Sequence, residues 1–426
     1  MLIEKDFFTD PEILVDPYAY FEEVRRHGPV FQPPGKDYVI VTGFNEALDV
    51  FLNAKDFSSS IALQGAAAPL PFEPEGSDIS EQLERNRTGI LGHDLLVNLD
   101  DKAHVNLRSL VNRLFTPSRL KANEKFIESY SDELVRAAAA KGKCELIGDI
   151  ATPFVTVVIA DLLGVPVEDR QFFMDVIAAA PVPGSLDADE NDYSGENHPM
   201  VVMGNYFAKY IRERQLNPRN DILSELAHAS YPDGTTPNLE DLVNLSTFMF
   251  GAGQDTSAKL IGNAMRFIVD EPGLQDRLRQ DPSLIAPMLE EVLRLEGSSK
   301  ITARLAVRDT TIGGVSIAAG TKVAIALAVI SRDPARWDEP NKFTLGRPRI
   351  KEHLSFGRGA HTCAGAPLAR VEVRVLLEKF FEYTSKIDLD PLRHGEPAAR
   401  RLTFEPSFIV RGLAELQLVL EPASAS

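Results

Sequence analysis

Two cysteines in 426 residues are too few for a disulfide framework, and that scarcity fits a reducing compartment. Positive charge is also in short supply: 45 Lys and Arg stand against 62 Asp and Glu, a formal net charge of -17. Nucleic acid and anionic membrane surfaces meet a repulsive average field and are poor partners. The start, Met1 to Asp6, has no basic region followed by an apolar stretch, so no secretory signal is expected. Long hydrophobic runs are missing too. The most apolar stretches, around Phe154 to Val165 and Val323 to Ile330, read as too short for a bilayer or as broken by Asp161. The expectation is a cytoplasmic protein with no membrane partner.

What is there suits a globular chain: 44% hydrophobic and 25% charged residues can bury a substantial core. The length exceeds the usual size of one domain, but no stretch has linker composition, so residues 1–426 read as a single domain. Asp16 before Pro17 reads as an N-cap, with Tyr20, Phe21 and Val24 as the buried face of a short helix. Tyr38 to Thr42 reads as a strand leading into a helix from Asn45 to Leu52. From Ser58 to Gly92 no periodicity is sustained, which reads as a mobile loop over a pocket. A second irregular region, Pro181 to Pro199, reads as another lid element. Most of the remainder is helical, ending in a strand-like alternation at Leu416 to Leu420. The fold class expected is mainly α with minor β.

Chemistry concentrates in Phe356-Gly357-Arg358-Gly359-Ala360-His361-Thr362-Cys363-Ala364-Gly365, directly before a helical pattern that starts at Pro367. A cysteine there sits at a helix N-terminus, where unsatisfied amides and the helix dipole lower a thiol pKa and favour a thiolate ligand. Glycines let the loop approach a flat partner closely. Cys144 lacks such a setting and reads as a small buried hydrophobe.

The run Phe-Gly-x-Gly-x-His-x-Cys-x-Gly resembles the cysteine-ligand loop of the bacterial cytochrome P-450 family of haem-thiolate monooxygenases, with every fixed position filled. The resemblance implies haem b as cofactor, held between a long oxygen-activating helix and the cysteine-loop helix. It makes Cys363 the axial metal ligand, packs Phe356 near the sulfur, has His361 donate to a propionate, and brings Gly357 and Gly365 against the macrocycle. Glu291 and Arg294, spaced to share a helix face between Leu284 and Leu295, resemble the family's Glu-x-x-Arg brace. The helix expected from Asp241 to Asp270 carries Gly251-Ala252-Gly253-Gln254-Asp255-Thr256-Ser257, which resembles the oxygen-activating segment. Ala252 and Gly253 would border the cofactor, Thr256 would hydrogen-bond bound oxygen, and Asp255 would help deliver protons. His104 and Arg108, at i and i+4, and Arg304 match propionate partners. The prolines that commonly precede this histidine are missing at Asp101-Lys102, so a different helix start is expected.

The function implied is insertion of one oxygen atom from O2 into a lipophilic molecule, by hydroxylation, epoxidation or dealkylation. Terpenoid, aromatic and steroid-like skeletons all remain open. Substrate contacts are expected from Phe248, Ala252, Ile301, Thr302 and Phe408, together with the irregular regions, while Lys300 should keep its ammonium in water along the wall. Electrons would come from an acidic ferredoxin and its reductase, docking on a basic face that includes Arg108, Arg113, Lys121, Arg358 or Arg370. The alternatives are a peroxide-driven peroxygenase or isomerase, a haem-thiolate sensor without turnover, and, more remotely, a thiol hydrolase.

Overall fold

The structure, a computed structural model, describes residues 2–180, 182–185 and 198–423. Asn238 accepts from the Asp241 amide while the Asp241 carboxylate reaches back to the Asn238 amide, and this reciprocal cap starts the longest helix, Leu239–Asp270. Leu242, Leu245, Phe250, Leu260 and Ile261 bury its face in the larger core. Helices Thr152–Leu163, Pro199–Leu216, Ile285–Glu296 and Ala366–Tyr383 pack around it. Gly262 makes one crossing close: a Cβ there would meet Ile147 Cδ1 at 2.7 Å.

The apolar run beside that crossing is longer than the sequence suggested. A π-helical turn, Leu146–Ala151, continues directly into Thr152–Leu163, giving 18 residues of mean hydropathy 1.9. By length and composition it could cross a membrane, yet 67% of it is buried inside the protein. Asp161, read as an interruption, lies within the helix and pairs with Arg170 at 2.7 Å.

Strands form three small sheets among the described residues. The five-stranded sheet runs Val30–Phe31, Tyr38–Val41, Lys322–Ile325, Thr302–Ala306, Phe57–Ser58; Tyr38–Val41 and Lys322–Ile325 pair in parallel and the other pairs are antiparallel. Thr302–Ala306 carries Arg304 in register with Val323, which fixes where that guanidinium emerges. Cys144 is buried in the strand Lys143–Glu145 and pairs with Leu418 of the last strand, Gln417–Pro422. The structure is thus mainly helical with a minor β part, as expected.

Several local expectations need correction. Proline follows a capping aspartate at Asp10-Pro11, where Asp10 accepts from Glu12 and Ile13; the helix with buried Tyr20, Phe21 and Val24 starts after Pro17, with Asp16 Oδ1 accepting a longer bond of 3.4 Å from the Tyr18 amide. The segment 58–92 contains a helix, Ser80–Asn86, and buries Ile61, Ala66, Ile79, Leu83 and Ile90 in a second core, because apolar residues without a regular period still find partners in an irregular path. Of the second irregular region, Pro181 and residues 186–197 lie outside the described residues.

Glu291 and Arg294 are fully buried and joined by two bonds of 2.8 Å, so they are no solvated surface pair. Arg347 joins them at 3.0 and 3.2 Å, and both guanidiniums spend their remaining protons on carbonyls of Ser331, Asp338, Pro340 and Lys342. One carboxylate thereby fastens a long irregular stretch to the Ile285–Glu296 helix. Removing it while leaving two buried cations should cost about 3–5 kcal/mol. Glu291→Gln is expected to lower the chemical-denaturation stability by that amount; a loss under 1 kcal/mol would mean that the carbonyls alone hold the arginines.

Candidate active site

The cysteine loop is closed by Cys363 N–H donating to Phe356 O at 2.9 Å. Gly357 and Gly359 turn it with φ of 65° and 73°, and a Cβ on Gly359 would collide with the Phe51 carbonyl. The helix Ala366–Tyr383 follows, with Gly365 as its N-cap, and its first amides face the Cys363 sulfur. These amides, Arg108 and Arg370 act in the expected direction, but burial outweighs them and pushes the free thiol up rather than down. A coordinating metal ion deprotonates a thiol outright, so the ligand chemistry survives this correction. Cys363 is open toward a cavity of about 570 Å³.

Two arginines and two histidines gather beside it. Arg304 is buried, its guanidinium held by the Ala303 carbonyl at 2.7 Å, and burial lowers its pKa to about 10. The His104 and His361 rings lie 4.0 Å apart, and Arg108 donates to the Thr362 carbonyl at 2.5 Å. Burial first, then the charges of Arg304, His104 and Arg108, bring His361 down to about 3; burial likewise lowers His104 and Arg108. None of the four forms an ion pair among the described residues, for the nearby Asp100 is taken by Ser58, Ser59 and Arg87. His104 Nε2 is buried without a hydrogen bond. The buried Arg304, the half-buried Arg108 and an orphaned imidazole nitrogen fit two incoming carboxylates, and a sulfur at the cavity floor fits a thiolate-liganded iron; haem presents both. The helix bearing His104 and Arg108, Asp101–Leu114, does start unusually: Asp101 takes a left-handed φ of 46°.

The long helix supplies the opposite wall. Ala252, Asp255 and Thr256 line the cavity, and Thr256 Oγ1 donates to the Ala252 carbonyl at 2.9 Å. The Thr256 carbonyl accepts from Ser298 Oγ at 2.7 Å. Gly253 does not face this space: its missing Cβ would point at Ile159, 3.7 Å from Cδ1. Phe248, Ile301, Thr302, Phe356, Gly357 and His361 line the cavity as expected. Phe408 does not, since it packs edge-on against Phe8 at 5.4 Å, and its neighbours Ile409 and Val410 take the wall. Lys300 is also misplaced by the sequence reading. Fully buried, it donates to the carbonyls of Leu14 and Ser407, and burial lowers its pKa to about 7.

Other wall residues carried no individual mark in the sequence, though Leu63 and His198 lie in the two irregular regions expected to contribute to the pocket and Leu95 just past the first. Leu63, Leu95 and Val97 come from the region after the first sheet, and Met200, Met203 and His198 from the start of the Pro199–Leu216 helix. Glu405 adds a carboxylate from the loop before the last strand. Behind the cysteine loop, Glu290 receives Arg370 at 2.6 and 3.0 Å and lies 3.2 Å from His353; Arg370 in turn covers the Phe356 ring at 4.7 Å. Only the neighbouring Glu291 stood out in the motif, yet Glu290 is the residue that braces the loop.

Comparison with known proteins agrees with this arrangement. A family model described as Cytochrome P-450 matches residues 197–392. The cytochrome P-450 monooxygenase PikC of Streptomyces venezuelae is 31% identical over 416 residues, covering 96% of this chain and 92% of that protein. The substrate-free structure of cytochrome P-450 CYP150A6 from Mycobacterium marinum aligns with a TM-score of 0.92 at 42% identity, with 100% of both chains covered. CYP109E1 of Bacillus megaterium, solved in complex with corticosterone, aligns with a TM-score of 0.79 at 26% identity over 96% of this chain and 99% of its own.

The Glu290 brace has a pH signature. Burial alone would raise its pKa, but the hydrogen bonds from His353 and Arg370 bring it down to about 2. A depressed carboxylate stabilises fully above its ordinary value of 4.5 and loses that contribution as pH falls toward about 2. The melting-temperature gap between wild type and Glu290→Gln should therefore be widest near neutrality and shrink through that window; a gap independent of pH would remove charge from the explanation.

Proposed function

The chain belongs to the cytochrome P-450 family of haem-thiolate monooxygenases, and on that premise we propose that it inserts an oxygen atom into a small or medium lipophilic molecule, with Cys363 as the iron ligand. The observation that carries this is one cavity shared by the Cys363 sulfur, the uncompensated Arg304, the neutral His361 imidazole, and the Asp255-Thr256 pair on the facing helix. Haem bound through a thiolate supplies the activation of dioxygen. The chain supplies the rest. Arg304 and Arg108 would pair with the propionates, which would neutralise their charge, and His361 and His104 would donate to them as neutral imidazoles. Glu291 and Arg294 act as structure, not chemistry.

Thr256 presents a hydroxyl at the cavity wall, and Asp255 is the titratable group beside it through which protons pass from protein to cavity. Overall, dioxygen, two electrons, two protons and a substrate C–H bond become a hydroxyl group and one water. A polar pair of this kind on the wall favours dioxygen over a peroxide-driven route, which needs no added protons. The wall is otherwise mostly apolar, with Phe248, Ile301, Met203 and Leu63, and excludes water from a lipophilic substrate. Corticosterone in one solved relative supports a steroid-like skeleton as the first class to screen, ahead of terpenoids and aromatics.

Electrons are assigned to a ferredoxin and its reductase in the cytoplasm. Of the basic residues named for docking, Arg108 is turned inward to Thr362 and Arg370 is paired with Glu290. Arg113 and Lys121 are exposed, one on the helix whose Arg108 touches the cysteine loop and the other on the helix packed against Ala366–Tyr383, so the docking face is narrowed to these two together with Arg358.

Two measurements check this reading. Reduced protein under carbon monoxide should show the strongly red-shifted Soret band of thiolate-ligated haem, and Cys363→His should lose it; a haem-loaded wild type without the band ends the assignment. Arg113→Gln with Lys121→Gln should slow reduction by an acidic ferredoxin several-fold at low salt, with the difference fading as salt rises. An unchanged rate would move the docking site elsewhere.

A further inference from the structure

The Asp255 carboxylate does not hang free at the cavity wall. Its Oδ1 lies 2.5 Å from Lys259 Nζ, one helical turn further on, and the same ammonium lies 2.6 Å from Glu405 Oε2. Asp255 and Glu405 line the cavity, whereas the Lys259 side chain is only 6% exposed. Burial works against its charge, but the two carboxylates outweigh burial and keep it protonated. With Oδ1 taken, Asp255 Oδ2 is buried and carries no hydrogen bond.

A separate feature shows that this lysine is built in. A Cβ on Gly412 would overlap Lys259 Cγ and come within 2.7 Å of its Cδ, so the stem runs through a slot that glycine alone leaves open. The slot wall is itself pinned, since Asn263 Nδ2 donates to the carbonyls of Glu296 and Arg411 at 3.0 and 3.2 Å. Arg411 also pairs with Glu296 at 3.0 Å. Lys259 therefore joins the long helix to the C-terminal loop that carries Glu405, Ile409 and Val410 into the cavity wall.

We propose that Lys259 is a positioning residue: by fixing Oδ1 of Asp255 it leaves Oδ2 as the one acceptor free to pass protons toward Thr256, and it sets that geometry from the substrate-facing loop through Glu405 and Gly412. The inference rests on the role given to Asp255 above. An unpinned carboxylate samples several rotamers, and a displacement of about 1 Å in a reacting group costs on the order of 10²-fold. Without substrate, the holoenzyme divides dioxygen between two fates. Two electrons and two protons give hydrogen peroxide with the O–O bond intact; four electrons and four protons give two waters with that bond broken. Misplaced proton delivery shifts the division toward peroxide.

Wild type, Lys259→Met, Gly412→Ala and Asp255→Asn holoenzymes, supplied with NADPH through a surrogate ferredoxin and its reductase, are compared for peroxide released per NADPH. Lys259→Met and Gly412→Ala should raise the ratio several-fold toward one, in the direction of Asp255→Asn, and should change the solvent deuterium effect on NADPH oxidation. Crystal structures of the two variants, read without any turnover, should show the Asp255 carboxylate in a different rotamer. If Lys259→Met does not fold, Gly412→Ala and Glu405→Gln carry the same comparison. Should Asp255→Asn raise the ratio while the lysine and glycine variants match wild type, Lys259 is packing only and the inference falls alone. Should Asp255→Asn itself match wild type, the role of Asp255 falls and takes the inference with it.

Discussion

Three buried carboxylates on one helix, Glu290, Glu291 and Glu296 of Ile285–Glu296, hold parts of the chain that have little regular structure of their own. Glu290 takes Arg370 and lies beside His353, on either side of the cysteine loop; Glu291 takes Arg294 and Arg347; Glu296 takes Arg411, with Arg332 and Arg266 at 3.3 and 3.5 Å. Each is expensive to bury alone and favourable only when its partners arrive together. The helix thus acts as a spine from which the loop under the cavity, the irregular stretch before it and the C-terminal wall are all set at fixed positions. Tyr18 lies under two of those guanidiniums, Arg332 at 4.0 Å and Arg411 at 5.3 Å, which carries the same spine to the N-terminal helix.

The cavity inverts that arrangement. Around the spine each buried charge has its opposite, while beside Cys363 Arg304 and Arg108 sit with two neutral imidazoles and no carboxylate of their own. A protein that leaves Arg304 in its interior without a countercharge forgoes stability that a bound dianion restores, so folding and cofactor binding are linked. The burial that raises the free Cys363 thiol belongs to the same economy of charge: the pocket is tuned for the loaded state.

Contiguous features were legible. The cysteine loop, the long helix and the Glu291-Arg294 spacing each fit within a few turns of chain, where residue type and period report directly on geometry. Arg347 was not legible, because it meets Glu291 across 56 residues of chain, strands included. Lys259 and Glu405 form another such pair, and neither has a local pattern that marks it. Gly253 and Phe408 were assigned by their neighbours' roles. In a helix one residue's step turns a side chain by about 100°, enough to aim Gly253 at Ile159 while Ala252 faces the cavity. Lys300 shows the limit of composition: lysine is nearly always solvated, but two carbonyls at the end of a closed path were enough to bury it.

The parallel pairing of Tyr38–Val41 with Lys322–Ile325 has a temporal side. The strand Tyr38–Val41 has no parallel neighbour until Lys322–Ile325 has emerged. At about 5–20 residues per second, that interval is on the order of tens of seconds. Arg304 emerges shortly before that moment and the cysteine loop after it, so the cofactor pocket cannot be complete any earlier. Haem capture must therefore wait for the cysteine loop, and the strand Tyr38–Val41 spends the interval with one open edge that the cell must keep from pairing elsewhere.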